Sequence, residues 1–185
     1  MKHFDHNAHY HDLLLSHVPP TARTALDLGS GHGAFARRLV AHGLAVTAVD
    51  QAVDLDAPGV DFRRVDAMTG DLGGPYDYVS CVATLHHLPC EAALARMRDV
   101  LAPGGVLAVL GLAKEESPLD WAFSLTSVPL NLVRRLRHDD PPQGAPVAAW
   151  SMSLREIAES AERVIPGARI RRHLYWRYSL SWTRR

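Results

Sequence analysis

Residues 26 to 35 read LDLGSGHGAF: an apolar run carrying one acid meets glycines at every second position, Asp27-x-Gly29-x-Gly31-x-Gly33, before a helical pattern resumes. Few local sequences restrict a fold so tightly. Glycine lets the backbone take positive φ and approach a ligand closely, and the helix start that follows offers unpaired N–H groups to an anion. The spacing differs from the dinucleotide pattern GxGxxG, whose last glycine falls one place later. The alternative is a tight strand-to-helix turn with no ligand.

That turn opens a series. Thr24 to Leu28 reads as a buried strand and Ala34 to His42 as a helix. Leu44 to Val49, Val60 to Val65 and Asp77 to Ala83 read as strands, Glu91 to Leu101 as a helix, and Gly105 to Leu112 as a fifth strand entered through Pro103-Gly104. Strands alternating with helices predict parallel pairing and right-handed crossovers, hence a doubly wound α/β domain with helices on both faces. Pro58-Gly59 leaves room for only a rudimentary helix between the second and third strands. Ser153 with Glu156 predicts a capping box for a helix carrying Leu154, Ile157, Ala158 and Ala161. Ala168 to Tyr175 and Tyr178 to Thr183 are β-rich and predict a closing hairpin. Ahead of the first strand, Ala8 to His17 reads as a short helix turning Tyr10, Leu13 and Leu14 inward.

Composition narrows the function classes. The chain's 185 residues suit one domain, and its 20 Lys and Arg balance 20 Asp and Glu, so no global field gathers polyanions. This argues against a nucleic-acid partner. Cys81 and Cys90 make no disulfide framework and no CxxC metal spacing. The N-terminus, MKHFDHNAHYHDLLL, lacks the apolar core of a signal peptide, and no window is long enough to span a bilayer. A soluble protein of a reducing compartment, the cytoplasm, is the expectation. Oligomeric state leaves no trace.

Two more acids fall where the glycine loop needs partners. Asp50 ends the second strand at the carboxyl edge of the sheet, where an acid can accept hydrogen bonds from both ribose hydroxyls of a nucleoside; a loop cap is the alternative. Asp66 ends the third strand and can accept from an adenine amino group, though strand-ending aspartates are common turn formers.

Taken in order, Asp27 to Gly33, Asp50, Asp66-Ala67, YDYVSCVATLHHL (76 to 88) and LAPGGVLAVLGL (101 to 112) resemble the class I S-adenosylmethionine-dependent methyltransferases. They most resemble the small-molecule branch with a Leu-His-His-Leu signature after the fourth strand, and the resemblance spans nearly the whole chain. It implies a mostly parallel seven-stranded sheet with an antiparallel last strand. It also implies that Asp27, Gly29, Ser30, Gly31 and Gly33 hold the amino-acid end of S-adenosylmethionine, with Asp50 on the ribose and Asp66 and Ala67 at the adenine. Gln51 and Val82 complete the expected cofactor contacts, and Tyr10 belongs to an N-terminal helix, within residues 1 to 20, expected to fold over the cofactor as a lid. The chain departs from the family in its stunted helix after Asp50 and in Gln51.

A sulfonium methyl is already activated, so the protein must align a nucleophile, exclude water and, where needed, remove a proton. His86, after the fourth strand, is the candidate for substrate contact and proton transfer, with His87 as the packing partner; the alternative is that they only shape the pocket. Cys90 after Pro89 suggests a thiolate nucleophile, against which stands its place as an ordinary helix-start residue. His3, His6, His9 and His11 form no clean ligand face, so no metal is expected. Residues 113 to 150 read as an inserted substrate cover, with Trp121 and Phe123 facing a small, largely apolar or aromatic methyl acceptor. Competing readings make Leu119 to Arg137 a membrane-surface helix, make RNA or protein the acceptor, or leave a non-catalytic cofactor-binding module.

Overall fold

The computed structural model describes residues 7–114, 152–174 and 176–185. The predicted cover with Trp121 and Phe123, and the possible membrane-surface helix, lie outside the described residues. Seven strands form one sheet: β1 (Thr24–Leu28), β2 (Ala45–Val49), β3 (Val60–Arg63), β4 (Tyr76–Val82), β5 (Leu101–Leu112), β6 (Arg169–Arg172) and β7 (Arg177–Thr183). Their spatial order is β3-β2-β1-β4-β5-β7-β6, with β7 antiparallel to both of its neighbours and the remaining pairs parallel. This is the expected mostly parallel sheet with an antiparallel last strand.

The central strands are apolar on both faces because both faces are covered. Side chains alternate across β1: Leu26 and Leu28 join a core with Leu94, Met97, Ile157 and Ala161, while Ala25 joins one with Leu14, Phe35 and Leu39. The first face is thus covered by α3 (Cys90–Asp99) and α4 (Leu154–Val164), the second by α1 (His11–Leu15) and α2 (Ala34–Ala41). Tyr78 of β4, fully buried, donates its hydroxyl to the Leu14 carbonyl at 2.9 Å and fastens α1 to the sheet.

Several boundaries move. The expected N-terminal helix over 8 to 17 is a 3-10 turn, Ala8–Tyr10, followed by the five residues of α1. The third strand stops at Arg63, so Asp66 lies beyond it rather than at its end. The fifth strand starts at Leu101, ahead of Pro103-Gly104, which forms an irregularity where the β4 register jumps from Tyr76↔Leu101 to Tyr78↔Val106. Arg184 makes that bulge tenable: its guanidinium donates to the Arg98, Asp99 and Leu101 carbonyls, and its backbone pairs with Gly104 and Gly105. No helix forms between β2 and β3, in keeping with Pro58-Gly59.

The predicted capping box is present. The Ser153 hydroxyl accepts from the Glu156 amide at 3.3 Å, and the Glu156 carboxylate accepts from the Ser153 amide at 2.8 Å. The Lys114 amide donates to the Met152 carbonyl at 2.8 Å, so the chain leaves the end of β5 and re-enters α4 at one spot on the sheet's carboxyl edge. Ser153→Ala should cost about 1 kcal/mol of stability. Urea denaturation should show a lower midpoint with an unchanged slope; an unchanged midpoint would deny the cap any weight.

Candidate active site

β1 pairs with β2 on one side and β4 on the other, and Leu28 is level with both Val49 and Cys81. The chain leaves β1 for one face and β4 for the other, so a crevice opens between their carboxyl ends, where open α/β sheets bind ligands. A cleft of about 590 Å³ occupies this place, within the range of small-ligand sites. Asp27, Gly29, Ser30, Gly31, Asp50, Gln51, Ala67 and Val82 line it, as the sequence led one to expect.

Each glycine of the loop has its own reason to be glycine. All three sit at positive φ, between 51° and 72°. A Cβ at Gly29 would collide with the Thr84 side chain, and one at Gly33 would meet Leu55 at 2.6 Å. One at Gly31 would meet nothing within 4 Å; there the backbone borders open space in the cleft. Gly33, expected from the resemblance as a cofactor contact, does not line the cleft: it packs against Leu55 and caps α2.

Asp50 holds the loop in shape. Its carboxylate accepts from the Gly31 amide at 2.9 Å through one oxygen, and from the Ala52 and Val53 amides at 2.8 and 3.3 Å through the other. These contacts are those of the loop-cap reading. The Gly29 and Ser30 amides donate to the Val49 carbonyl, and the Thr84 hydroxyl donates to the Gly29 carbonyl at 3.0 Å. Thr84 reaches it because Ala83 takes φ 52°, a left-handed conformation costly for a residue with a side chain. Nothing in the sequence announces that turn.

Asp27 lies beneath the loop, 1% exposed. Burial pushes its carboxyl up to about 6, against the pull of the Ser80 hydroxyl, which donates at 2.7 Å, and the Ala36 amide; the Asp50 charge adds to the rise. A carboxylate kept there at neutral pH is held against its own desolvation. The Ser30 hydroxyl oxygen, also in the cleft wall, is buried without a hydrogen-bond partner.

Three expectations shift. Asp66 does not line the cleft; its neighbours Val65 and Ala67 do, while its carboxylate closes a turn by accepting from the Met68 and Thr69 amides, contacts that hold it below the usual carboxylate range. Tyr10 is a core residue, 8% exposed, whose hydroxyl donates to the Leu174 carbonyl; Asn7 and His11 from the same segment line the cleft instead. The cleft-lining imidazole of the pair is His87, not His86, because the 3-10 turn Leu85–His87 points consecutive side chains in different directions. Burial raises the Cys90 thiol to about 11, which removes it as a nucleophile at neutral pH. No cluster of three potential metal ligands occurs among the described residues, where His11 instead meets the Phe35 ring edge-on, 4.9 Å between centroids.

The methyltransferase-domain family profile matches residues 3–177. The chain belongs to the class I S-adenosylmethionine-dependent methyltransferases. An uncharacterized methyltransferase of Mycobacterium tuberculosis is 32% identical over 195 residues, covering 95% of this chain and 94% of that protein. A ubiquinone biosynthesis O-methyltransferase of Xanthomonas axonopodis is 28% identical over 152 residues, covering 72% of this chain and 62% of its own. Among solved structures, magnesium protoporphyrin IX methyltransferase of Synechocystis, with bound S-adenosylhomocysteine, superimposes with a TM-score of 0.61 at 19% identity, over 97% of this chain and 81% of that one. At that identity the likeness shows the fold. The methyltransferase spans about half the length of some other solved structures it matches.

Asp27 generates a prediction with opposite signs for stability and binding. Its folded pKa, about 6, lies above the ordinary 3.8, so the native state holds the proton more tightly than the unfolded chain and loses stability as pH rises from about 4 through 6. Asp27→Asn should therefore stabilise the free methyltransferase by about 1–3 kcal/mol above pH 6, one pKa unit being worth about 1.4 kcal/mol, with no gain below about pH 4. On the expectation that Asp27 faces the amino-acid end of the cofactor, the same variant should bind S-adenosylhomocysteine more weakly. Thermal unfolding across pH and titration calorimetry check the two halves; a variant destabilised at pH 8 would refute the first.

Proposed function

We propose that this enzyme methylates a small, largely apolar or aromatic molecule, with the cofactor in the cleft at the ends of β1, β2 and β4. The observation that carries the placement is the loop itself: a buried, partnerless Ser30 hydroxyl beside a glycine whose absent Cβ leaves cleft space open. In this reading Asp27, Ser30 and the Gly29–Gly31 backbone hold the amino-acid end of the cofactor. Asp50 accepts from the ribose, its contacts with Gly31 and Ala52 pre-orienting the carboxylate. Gln51, Val65, Ala67 and Val82 line the region that takes the adenine.

S-adenosylmethionine supplies a methyl group already activated on a sulfonium. The protein's share is to position the acceptor and keep water out. The stretch from Val82 to Leu88 borders the cleft on the side away from Asp50, and it is where the acceptor belongs. The lining there is mixed: Val82, Ala83 and Leu88 are apolar, Thr84 and His87 polar. The chain's balanced charge favours a neutral small acceptor over a polyanion. A hydroxyl acceptor is the preferred class, in keeping with the O-methyltransferase relative.

Asp50→Ala should weaken S-adenosylhomocysteine binding by about 1–3 kcal/mol, through lost charged hydrogen bonds to the ligand and a slackened loop. Gly31→Val should fold with reduced stability, since a Cβ there meets no protein atom within 4 Å although φ is 51°, yet fail to bind, because the side chain enters the cleft. Calorimetric titration reads both. Wild-type affinity in either variant sinks the placement.

A further inference from the structure

Residues 64 to 75, between β3 and β4, form neither helix nor strand, yet Val65 and Ala67 within them make a wall of the cleft. An irregular stretch has no ladder to hold it, so the place of that wall depends on the bonds its backbone makes. The first of these are local. The Asp66 carboxylate accepts from the Met68 and Thr69 amides, and the Gly70 amide closes the turn on the Asp66 carbonyl at 2.8 Å. Farther on, the Tyr76 hydroxyl donates to the carbonyl of the buried Leu72 at 2.7 Å and anchors the return to β4. A turn closed on itself has a shape, but its bonds give it no fixed place against the sheet.

Arg96 supplies that tie. It stands on α3 between Ala93 and Met97, both in the core, so its stem starts from a helix fixed against the sheet. Its Nε donates to the Ala67 carbonyl at 3.1 Å, and a terminal nitrogen of the same guanidinium donates to the Gly70 carbonyl. Among the described residues, no other side chain from outside the loop bonds the backbone of residues 65 to 70. The peptide between Ala67 and Met68 is thus held at both ends, its carbonyl by Arg96 and its N–H by Asp66. Gly70 carries the hold back to Val65: a Cβ on Gly70 would lie 2.6 Å from the Val65 Cβ, so its backbone rests on that side chain. A rigid guanidinium fork sets two acceptors at a fixed spacing, which a single ammonium does not.

We propose that Arg96 is a positioning residue for the adenosine end of the cofactor, acting through the Val65–Ala67 wall that its guanidinium holds in place. Arg96 itself does not line the cleft. The inference rests on the cofactor placement above and deepens it, for it names the residue that readies one wall of that site before a ligand arrives. A wall ordered in advance spares the ligand the cost of ordering it. Loss of the two bonds is felt at the adenosine end, and the loop around Gly29 and Ser30 keeps its own supports in Asp50 and Thr84.

The test titrates the full chain calorimetrically with two probes, S-adenosylhomocysteine and 5′-methylthioadenosine, which keeps the adenosine and lacks the amino-acid end. Arg96→Met retains the stem and removes the donors. It should weaken both probes by the same factor, about 10-fold, with every chain still able to bind. Arg96→Lys, which can bond one carbonyl, should lose less. A residue that served folding alone would lower the fraction of chains that bind and leave the affinity of the rest unchanged. Residue-resolved hydrogen exchange gives a second reading that needs no variant: in the free wild type the Met68, Thr69 and Gly70 amides should already be protected, and S-adenosylhomocysteine should add little. Wild-type affinity in Arg96→Met, a loss confined to S-adenosylhomocysteine, or protection of those amides only once ligand binds overturns the proposal. Failure of the wild type to bind either probe overturns the cofactor placement, and this inference with it.

Discussion

Everything in the site hangs on one feature of the sheet, the parting of the chain at the adjacent ends of β1 and β4. Parallel strands demand crossovers of one hand, so a chain that builds outward in both directions from β1 and β4 must send α2 and α3 to opposite faces. The ends of the two strands are then left uncovered by either helix. The crevice is not carved by its lining residues. They occupy a gap that the topology makes, and their identity decides only what the gap can hold.

Within that gap the polar groups hold one another at some cost. Asp27 is buried at a raised pKa, Ser30 and His86 each keep a buried atom without a partner, and Ala83 sits in a left-handed conformation. These four residues fall between positions 27 and 86 and lie at the ends of β1 and β4 or just beyond. Away from there α4 carries a full capping box, the central strands are apolar and the Tyr76 and Tyr78 hydroxyls are bonded, while Trp176, ahead of β7, also takes the left-handed conformation. Strain and unmet hydrogen-bonding capacity gathered at one edge are what a ligand can relieve, and a stability optimum would remove them.

The N-terminal segment joins the site by a different route. Tyr10 bonds the Leu174 carbonyl, its ring lies 5.1 Å from that of His173, and Asn7 accepts from Arg177, so the segment is fastened to the turn between β6 and β7. Fastening the aromatic residue inside the core is what brings Asn7 and His11 to the cleft. Of the segment expected to fold over the cofactor, Asn7 and His11 line the cleft and Tyr10 packs in the core.

The sequence alone determined the fold class, the order of strands along the chain, the glycine loop and the acids beside it. These are legible because they rest on local chemistry: apolar runs of strand length, glycine where φ is positive, a serine and a glutamate at capping distance. Tertiary structure decided which side chain of each pair meets the cleft. Asp66 proved a turn former because β3 ended two residues earlier than its apolar pattern suggested, and strand ends are set by the neighbour they pair with. His86 and His87 exchanged places because a single 3-10 turn fixes their directions, and no periodicity read over two residues can reveal a turn's rotation. That His86 Nδ1 is buried without a hydrogen-bond partner was beyond any reading of the chain, since a missing partner is a property of every residue that fails to come near.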